Sequence, residues 1–172
     1  MAGNSPVAWL RGGIVLHLAL VIAGGVIVAV VAGAAWRKAR AAQLRARAKL
    51  ARLELAEAGA ELAETFRAAA AATGMPRGLL WKAVELHQPR LVALERTTRE
   101  LFGLAAVEIR FEAVAGGAME DVEAVGNVRS ATAVFVYRNG RWTTDGRTVF
   151  NLDPRQTLER YAETLEGGIG ER

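Results

Sequence analysis

The chain has no cysteine. That excludes disulfide frameworks, Cys-based zinc sites and thiol catalysis together, and it fits a reducing compartment. Histidine is nearly absent, with only His17 and His87 present. No GxSxG, P-loop, GxGxxG or HExxH pattern occurs, so the sequence announces neither a nucleophile elbow, a phosphate cradle nor a zincin helix. Proline is missing from 37–73, and acidic side chains are missing from 37–52. No cofactor is implied.

What is present is a long apolar run. Gly13–Trp36 contains no Asp, Glu, Lys or Arg. As a helix its 24 residues reach about 36 Å, enough for a hydrocarbon core of about 30 Å with some tilt. Trp9 and Trp36 sit at or beyond its ends, where amphipathic rings favour the headgroup region. Ala32-Gly33-Ala34 offers a small-residue cleavage pattern. The length of the run, the single preceding charged side chain (Arg11) and the basic block that follows favour an uncleaved signal-anchor.

That basic block is Arg37, Lys38, Arg40, Arg45, Arg47, Lys49 and Arg52. It suits an anionic membrane surface, or serves as an ordinary stop-transfer flank. By the positive-inside bias it places the C-terminal side in the cytoplasm and the N-terminus outside. From Gly74 to Arg172 there are 13 Lys/Arg against 14 Asp/Glu, so the chain's net charge of +4 originates beside the apolar run. A nucleic-acid-binding protein spreads basic residues over a folded surface, so nucleic acid is disfavoured as a partner. Within the run, Gly25, Ala29 and Gly33 recur every four residues and define a face on which two helices could pack closely. His17 lies on the same row, about one turn inside the boundary, where a neutral imidazole reaches interfacial water.

The expected layout is a short tail (1–12), a transmembrane helix (13–36), a helical stalk (37–73), an α+β domain (74–166) and a flexible tail (167–172). The stalk is rich in Ala, Leu, Arg, Lys and Glu, with Gly59 its lone weak point. One heptad register aligns Ala41, Ala48, Leu55, Leu62 and Ala69, with Leu44, Ala51, Ala58 and Thr65 at the second seam position. Two readings stand: a short coiled coil, or a helix lying on its own domain through Leu55, Leu62 and Phe66.

Gly74, Pro76 and Gly78 end the helical pattern, and alternation then predicts about four to six antiparallel strands. Two short strands are expected over Leu79–Leu86 and Leu91–Arg96, with a turn around Thr97–Glu100. The clearest strand is Leu104–Val114, where Val107, Ile109 and Phe111 oppose Glu108, Arg110 and Glu112. A loop follows over 115–127. Ser130–Tyr137 is next, and Asn139-Gly140 signals a type I′ hairpin into Arg141–Thr144. Asp145-Gly146 is a second turn, before Arg147–Leu152. Asp153-Pro154 starts a helix with Gln156 completing a capping box. Leu158, Tyr161 and Leu165 are expected to face the sheet.

This order of anchor, long helix, antiparallel sheet and closing helix resembles cystatin-like or NTF2-like domains in architecture. More loosely it is similar to the anchor, coiled coil and ferredoxin-like domain of some secretion-platform proteins. The first resemblance implies a curved sheet that can enclose a ligand; the second implies a place in a membrane assembly.

Three places could carry chemistry. His87 could act as a general base if a carboxylate such as Asp145 came close, although a surface histidine before Pro89 is the simpler reading. Glu120, Asp121 and Glu123 could meet a divalent cation, but their spacing fits no calcium loop and a solvated acidic turn is favoured. Trp81, Phe111, Phe135 and Trp142 could line an apolar pocket with Asp145 and Arg147 at its rim. Alternatively these aromatics are the core that a domain of this size needs. The sequence thus points first to a membrane-tethered, non-catalytic interaction or scaffold module, with a protein partner or a second copy through the membrane helix or stalk. A small-ligand-binding domain comes second and an enzyme third.

Overall fold

The computed structural model describes the backbone of residues 7–73 and 78–169, and side chains from residue 20 onward outside that gap. The readings made for Trp9, Arg11 and His17 lie outside the described side chains, and those for Gly74 and Pro76 outside the described residues. In chain order the elements are α1 (Val7–Glu57), α2 (Ala60–Thr73), β1 (Leu79–Glu95), β2 (Leu101–Ala113), a 3-10 turn (Glu123–Gly126), β3 (Arg129–Arg138), β4 (Arg141–Thr143), β5 (Thr148–Phe150), α3 (Pro154–Arg160) and β6 (Leu165–Glu166). The fold is α+β, as expected. It divides into two compact units, Met1–Leu44 and Arg45–Arg172, and α1 contributes residues to both.

The first unit is helical. Among its described side chains, Leu20, Ile22, Ile27 and Val31 are each more than half exposed. One helix is therefore long and apolar enough to cross a membrane, and none of its apolar window is buried. Two of the basic residues after it bond locally. Arg37 Nε donates to the Gly33 carbonyl at 3.2 Å, and the Arg40 guanidinium lies 5.4 Å from the centre of the Trp36 ring.

The second unit is built on a six-stranded antiparallel sheet in the order β4-β3-β2-β1-β6, with β5 pairing β3 beyond β4. The register pairs Leu101 with both Leu94 and Tyr137, and Ile109 with Val84. One face therefore carries Val92, Leu101, Gly103, Ala105, Val107, Ile109, Phe111, Ala133, Phe135 and Tyr137, nearly all buried. Alternation in β2 produces this directly, since every second side chain shares a face.

What covers that face is the segment expected to be a stalk. Ala48, Ala51 and Leu55 of α1 and Ala63, Phe66 and Ala70 of α2 are all buried. Of the two stalk readings, the helix lying on its own domain is the one seen, through Leu55 and Phe66, while Leu62 is only half-buried. Ala48, Ala51 and Leu55, which a coiled-coil seam would use, are occupied by the sheet instead. The helix breaks after Glu57, next to Gly59.

Three boundaries differ from expectation. The two short strands over 79–96 are one strand, β1, with register shifts between Trp81 and Ala83 and between His87 and Arg90. Pro89 reads as a stop because it cannot donate to a ladder; here it falls in the second irregularity, and pairing resumes at Arg90. The next strand starts at Leu101 rather than Leu104, because the turn after Glu95 is tight and is closed by Arg99 N–H to Glu95 O at 3.0 Å. Finally, α3 ends at Arg160, so Leu165 joins strand β6 and Tyr161 is 43% exposed. Pro154 and Thr157 are the residues that α3 buries. The capping box at Asp153 and Gln156 forms in full, and Asn139 and Gly140 adopt the positive φ of the expected hairpin.

Candidate functional site

The aromatic residues that could have lined a pocket form the interface between sheet and helices. Phe66 meets the Trp81 ring edge-on at 6.2 Å and the Phe135 ring at 5.8 Å, and Trp81 meets Phe111 at 5.0 Å. Such edge contacts add about 0.5–1.5 kcal/mol each beyond area burial. Phe66 and Phe135 are fully buried, and Trp81 and Phe111 nearly so. Trp142 belongs to a second cluster. Its ring lies 5.0 Å from that of Tyr137, and its Nε1 donates to the Ala51 carbonyl of α1 at 3.1 Å. Gly103 makes room for it, since a Cβ there would lie 2.8 Å from Trp142 Cζ3.

Asp145 and Arg147 lie apart from those aromatics, on the link between β4 and β5. They pair with each other at 3.3 Å and are well exposed. The link itself clamps α2. Gly146 has φ +81° and sits against the backbone of Ala69 and Ala70, where a Cβ would overlap it. Thr73 Oγ1 donates to the Asp145 carbonyl at 3.0 Å. The dense stretch Arg141–Asn151 is thus accounted for largely by fastening helix to sheet.

Sequence reasoning missed two further polar devices. Arg90, from the middle of β1, reaches the end of α1 and donates to the carbonyls of Leu55 (2.9 Å), Ala56 (3.2 Å) and Ala58. These are the orphan acceptors of a helix C-terminus, which favours a cation. At the other end of the buried face, Tyr137 Oη donates to Glu54 Oε1 at 3.0 Å. Arg47 Nη2 donates to the Tyr137 carbonyl at 2.9 Å, with its guanidinium 5.6 Å from the ring centre. Burial, followed by the hydrogen bond and negative charge of Glu54, pushes the Tyr137 phenol above its ordinary value. Only a hydroxyl amid buried apolar neighbours hinted at this.

The other sheet face is only partly covered. There α3, β5 and β6 border an open cleft of 390 Å³, lined by Phe102, Leu104, Val134, Val149, Tyr161 and Leu165, with Glu95 and Arg147 at its edges. It can take a small apolar group. Further along, His87 Nε2 lies 3.8 Å from Glu108 Oε2 and 4.0 Å from Glu85 Oε2, all exposed. Asp145 is not among its ion partners. Glu120 Oε2 accepts from the Gly116 N–H at 2.8 Å and so ties its own loop. Among the described residues no three His, Asp or Glu side chains are placed to hold a metal ion.

In the first unit, Ala29 is exposed, and a Cβ at Gly25 or Gly33 would meet nothing within 4 Å, so that row is open. Of the basic block, Arg45, Arg47, Lys49 and Arg52 fall in the second unit, all exposed. Comparison with protein-family models, with curated proteins and with solved structures gives no match.

Proposed function

We propose that the chain is a membrane-tethered interaction module: α1 crosses the bilayer once, and the sheet domain faces the cytoplasm. The observation that carries this reading is a contrast within one helix. The turns of α1 from Leu20 to Val31 leave their apolar side chains uncovered, whereas Ala48, Ala51 and Leu55 are fully buried in the domain. Leaving eight large aliphatic side chains in that run in water costs on the order of 10 kcal/mol, which a bilayer removes. Seven basic residues against none acidic over 37–52 support the inward orientation. The open row Gly25, Ala29 and Gly33 is the face through which a second copy would pack.

The test is alkaline extraction of membranes combined with a compartment-sensitive reporter fused after Arg172. The chain should stay in the membrane pellet, and external protease should spare the domain in intact cells. Release by alkali would overturn the tether; cleavage from outside would overturn the orientation and favour the secretion-platform analogy.

The small-ligand reading moves to the cleft beside α3, because its lining is largely apolar and unfilled. Replacing Leu104 with Trp should block uptake of an apolar fluorescent probe there. Undiminished uptake would exclude the cleft.

A further inference from the structure

The sheet is electrically asymmetric along its strands. Leu101 begins β2 and pairs with Leu94 and Tyr137, so the β1–β2 turn (96–100) and the β3–β4 hairpin (138–141) emerge at one end. The contact between Arg47 and Tyr137 places the first turns of the domain's share of α1 at that same end. It carries Arg45, Arg47, Lys49, Arg96, Arg99, Arg138 and Arg141, all exposed.

Four carboxylates at this end are engaged, while Glu163, between the Ala162 and Thr164 carbonyls that Arg96 bonds, is exposed. Glu100 pairs with Arg138 at 2.9 Å, Glu166 with Arg96 at 3.5 Å, and Glu54 accepts from Tyr137 Oη. The Glu95 carboxylate accepts from the Thr98 N–H. Among the described residues Arg45, Lys49, Arg99 and Arg141 have no ion-pair partner. The acidic loop with Glu120, Asp121 and Glu123 follows Ala113 at the opposite end of β2.

We propose that Arg99 and Arg141, together with Arg45 and Lys49, form a docking surface for the anionic phospholipid headgroups of the leaflet to which the chain is tethered. The inference rests on the tether reading above. Chain length supports a lipid partner over other polyanions: Arg45 comes nine residues after Trp36. Even fully extended, that stretch keeps Arg45 within about 30 Å of Trp36. The tips themselves, Thr97, Thr98, Asn139 and Gly140, are polar and exposed, which suits headgroup contact rather than insertion into hydrocarbon. Each Lys or Arg close to an anionic leaflet is worth about fivefold in occupancy.

The absence of cysteine supplies the test. Full-length chain carrying Thr97→Cys is labelled with one fluorophore and reconstituted into phosphatidylcholine vesicles, with or without phosphatidylserine, that contain a headgroup-located quencher. Quenching should appear with phosphatidylserine, weaken in concentrated salt as screening shortens, and report an occupancy about 25-fold lower in R99Q/R141Q. The R99K/R141K variant should retain it, which separates charge from folding. Equal quenching in both vesicle types, or full quenching in R99Q/R141Q, would overturn the docking surface while co-flotation of chain and vesicles still upholds the tether. Loss of co-flotation would overturn the tether itself. A response to a soluble oligonucleotide with none to vesicles would overturn lipid as the partner.

Discussion

Arg90 and Leu55, 35 residues apart, are joined where α1 ends: the Arg90 guanidinium donates to the Leu55 carbonyl at 2.9 Å. The same guanidinium reaches Ala58, beyond the last turn of the helix. A residue in the irregular middle of β1 therefore fixes the point at which the chain stops being one helix and starts the next.

Arg90→Ala should destabilise the domain by about 2 kcal/mol, because partly buried carbonyls lose charge-assisted bonds. Arg90→Met keeps the aliphatic stem and should recover only a minor part. Thermal unfolding of the full chain in detergent reads this. Equal stability of Arg90→Ala and the parent would show that water satisfies those carbonyls as well as the guanidinium does.

Gly146→Ala should cost about 2–4 kcal/mol. Two effects combine: a positive φ that alanine resists, and a methyl group directed at the α2 backbone. Gly140→Ala is the control, since it too has positive φ but nothing lies within 4 Å of its Cβ. It should cost about 1 kcal/mol. A Gly146→Ala loss no larger than the Gly140→Ala loss, by denaturant titration, would remove the role assigned to close approach.

Much of this was legible from the pattern. Val107, Ile109 and Phe111 fixed the buried face of β2, and Asn139-Gly140 fixed a hairpin, because both signals are local. The junction within β1 was not legible, since Pro89 reads as a terminator until its irregularity is seen. The placement of Phe66 is open in the sequence because Leu55 and Leu62, on the same helix, suit a coiled-coil seam or a sheet equally. That ambiguity also hid the fate of Trp81, Phe111 and Phe135. Without Phe66 above them they could line a hollow; with it they are core. Arg90 and Gly146 were invisible as fasteners because their partners, Leu55 and Ala70, are distant in sequence.

Phe66→Ala should therefore act as a core deletion, costing about 3–5 kcal/mol. If the aromatics instead enclosed a usable cavity, the variant would stay stable and bind a small aromatic probe in the vacated space. Denaturation with and without such a probe separates the two outcomes.

Glu100 is held below the ordinary carboxylate range by its hydrogen bonds and charge contact with Arg138. A depressed folded pKa contributes stability that is complete above the ordinary value, about 4.3, and is lost as pH falls through the folded value. Arg138→Gln should move the Glu100 carbon resonance titration upward toward the ordinary range and flatten that acid-side loss. An unmoved titration would detach Glu100 from Arg138.

Tyr137 gives the opposite, alkaline signature. Burial raises its pKa first, and the hydrogen bond and charge of Glu54 raise it further, against a smaller opposing effect of Arg47. For a phenol with a raised folded pKa the neutral form is favoured in the fold. The associated stability is thus complete below the ordinary tyrosine value of about 10 and disappears as pH rises from there through the folded value. The ultraviolet phenolate titration of the chain minus that of Tyr137→Phe isolates this group, and its midpoint should lie above the ordinary value. Glu54→Gln removes the charge but not the burial, so it should lower the midpoint only in part. A midpoint at or below the ordinary value would mean that the ring is not enclosed between α1 and β3, and the packing of α1 on the sheet at its first domain turn would have to be abandoned.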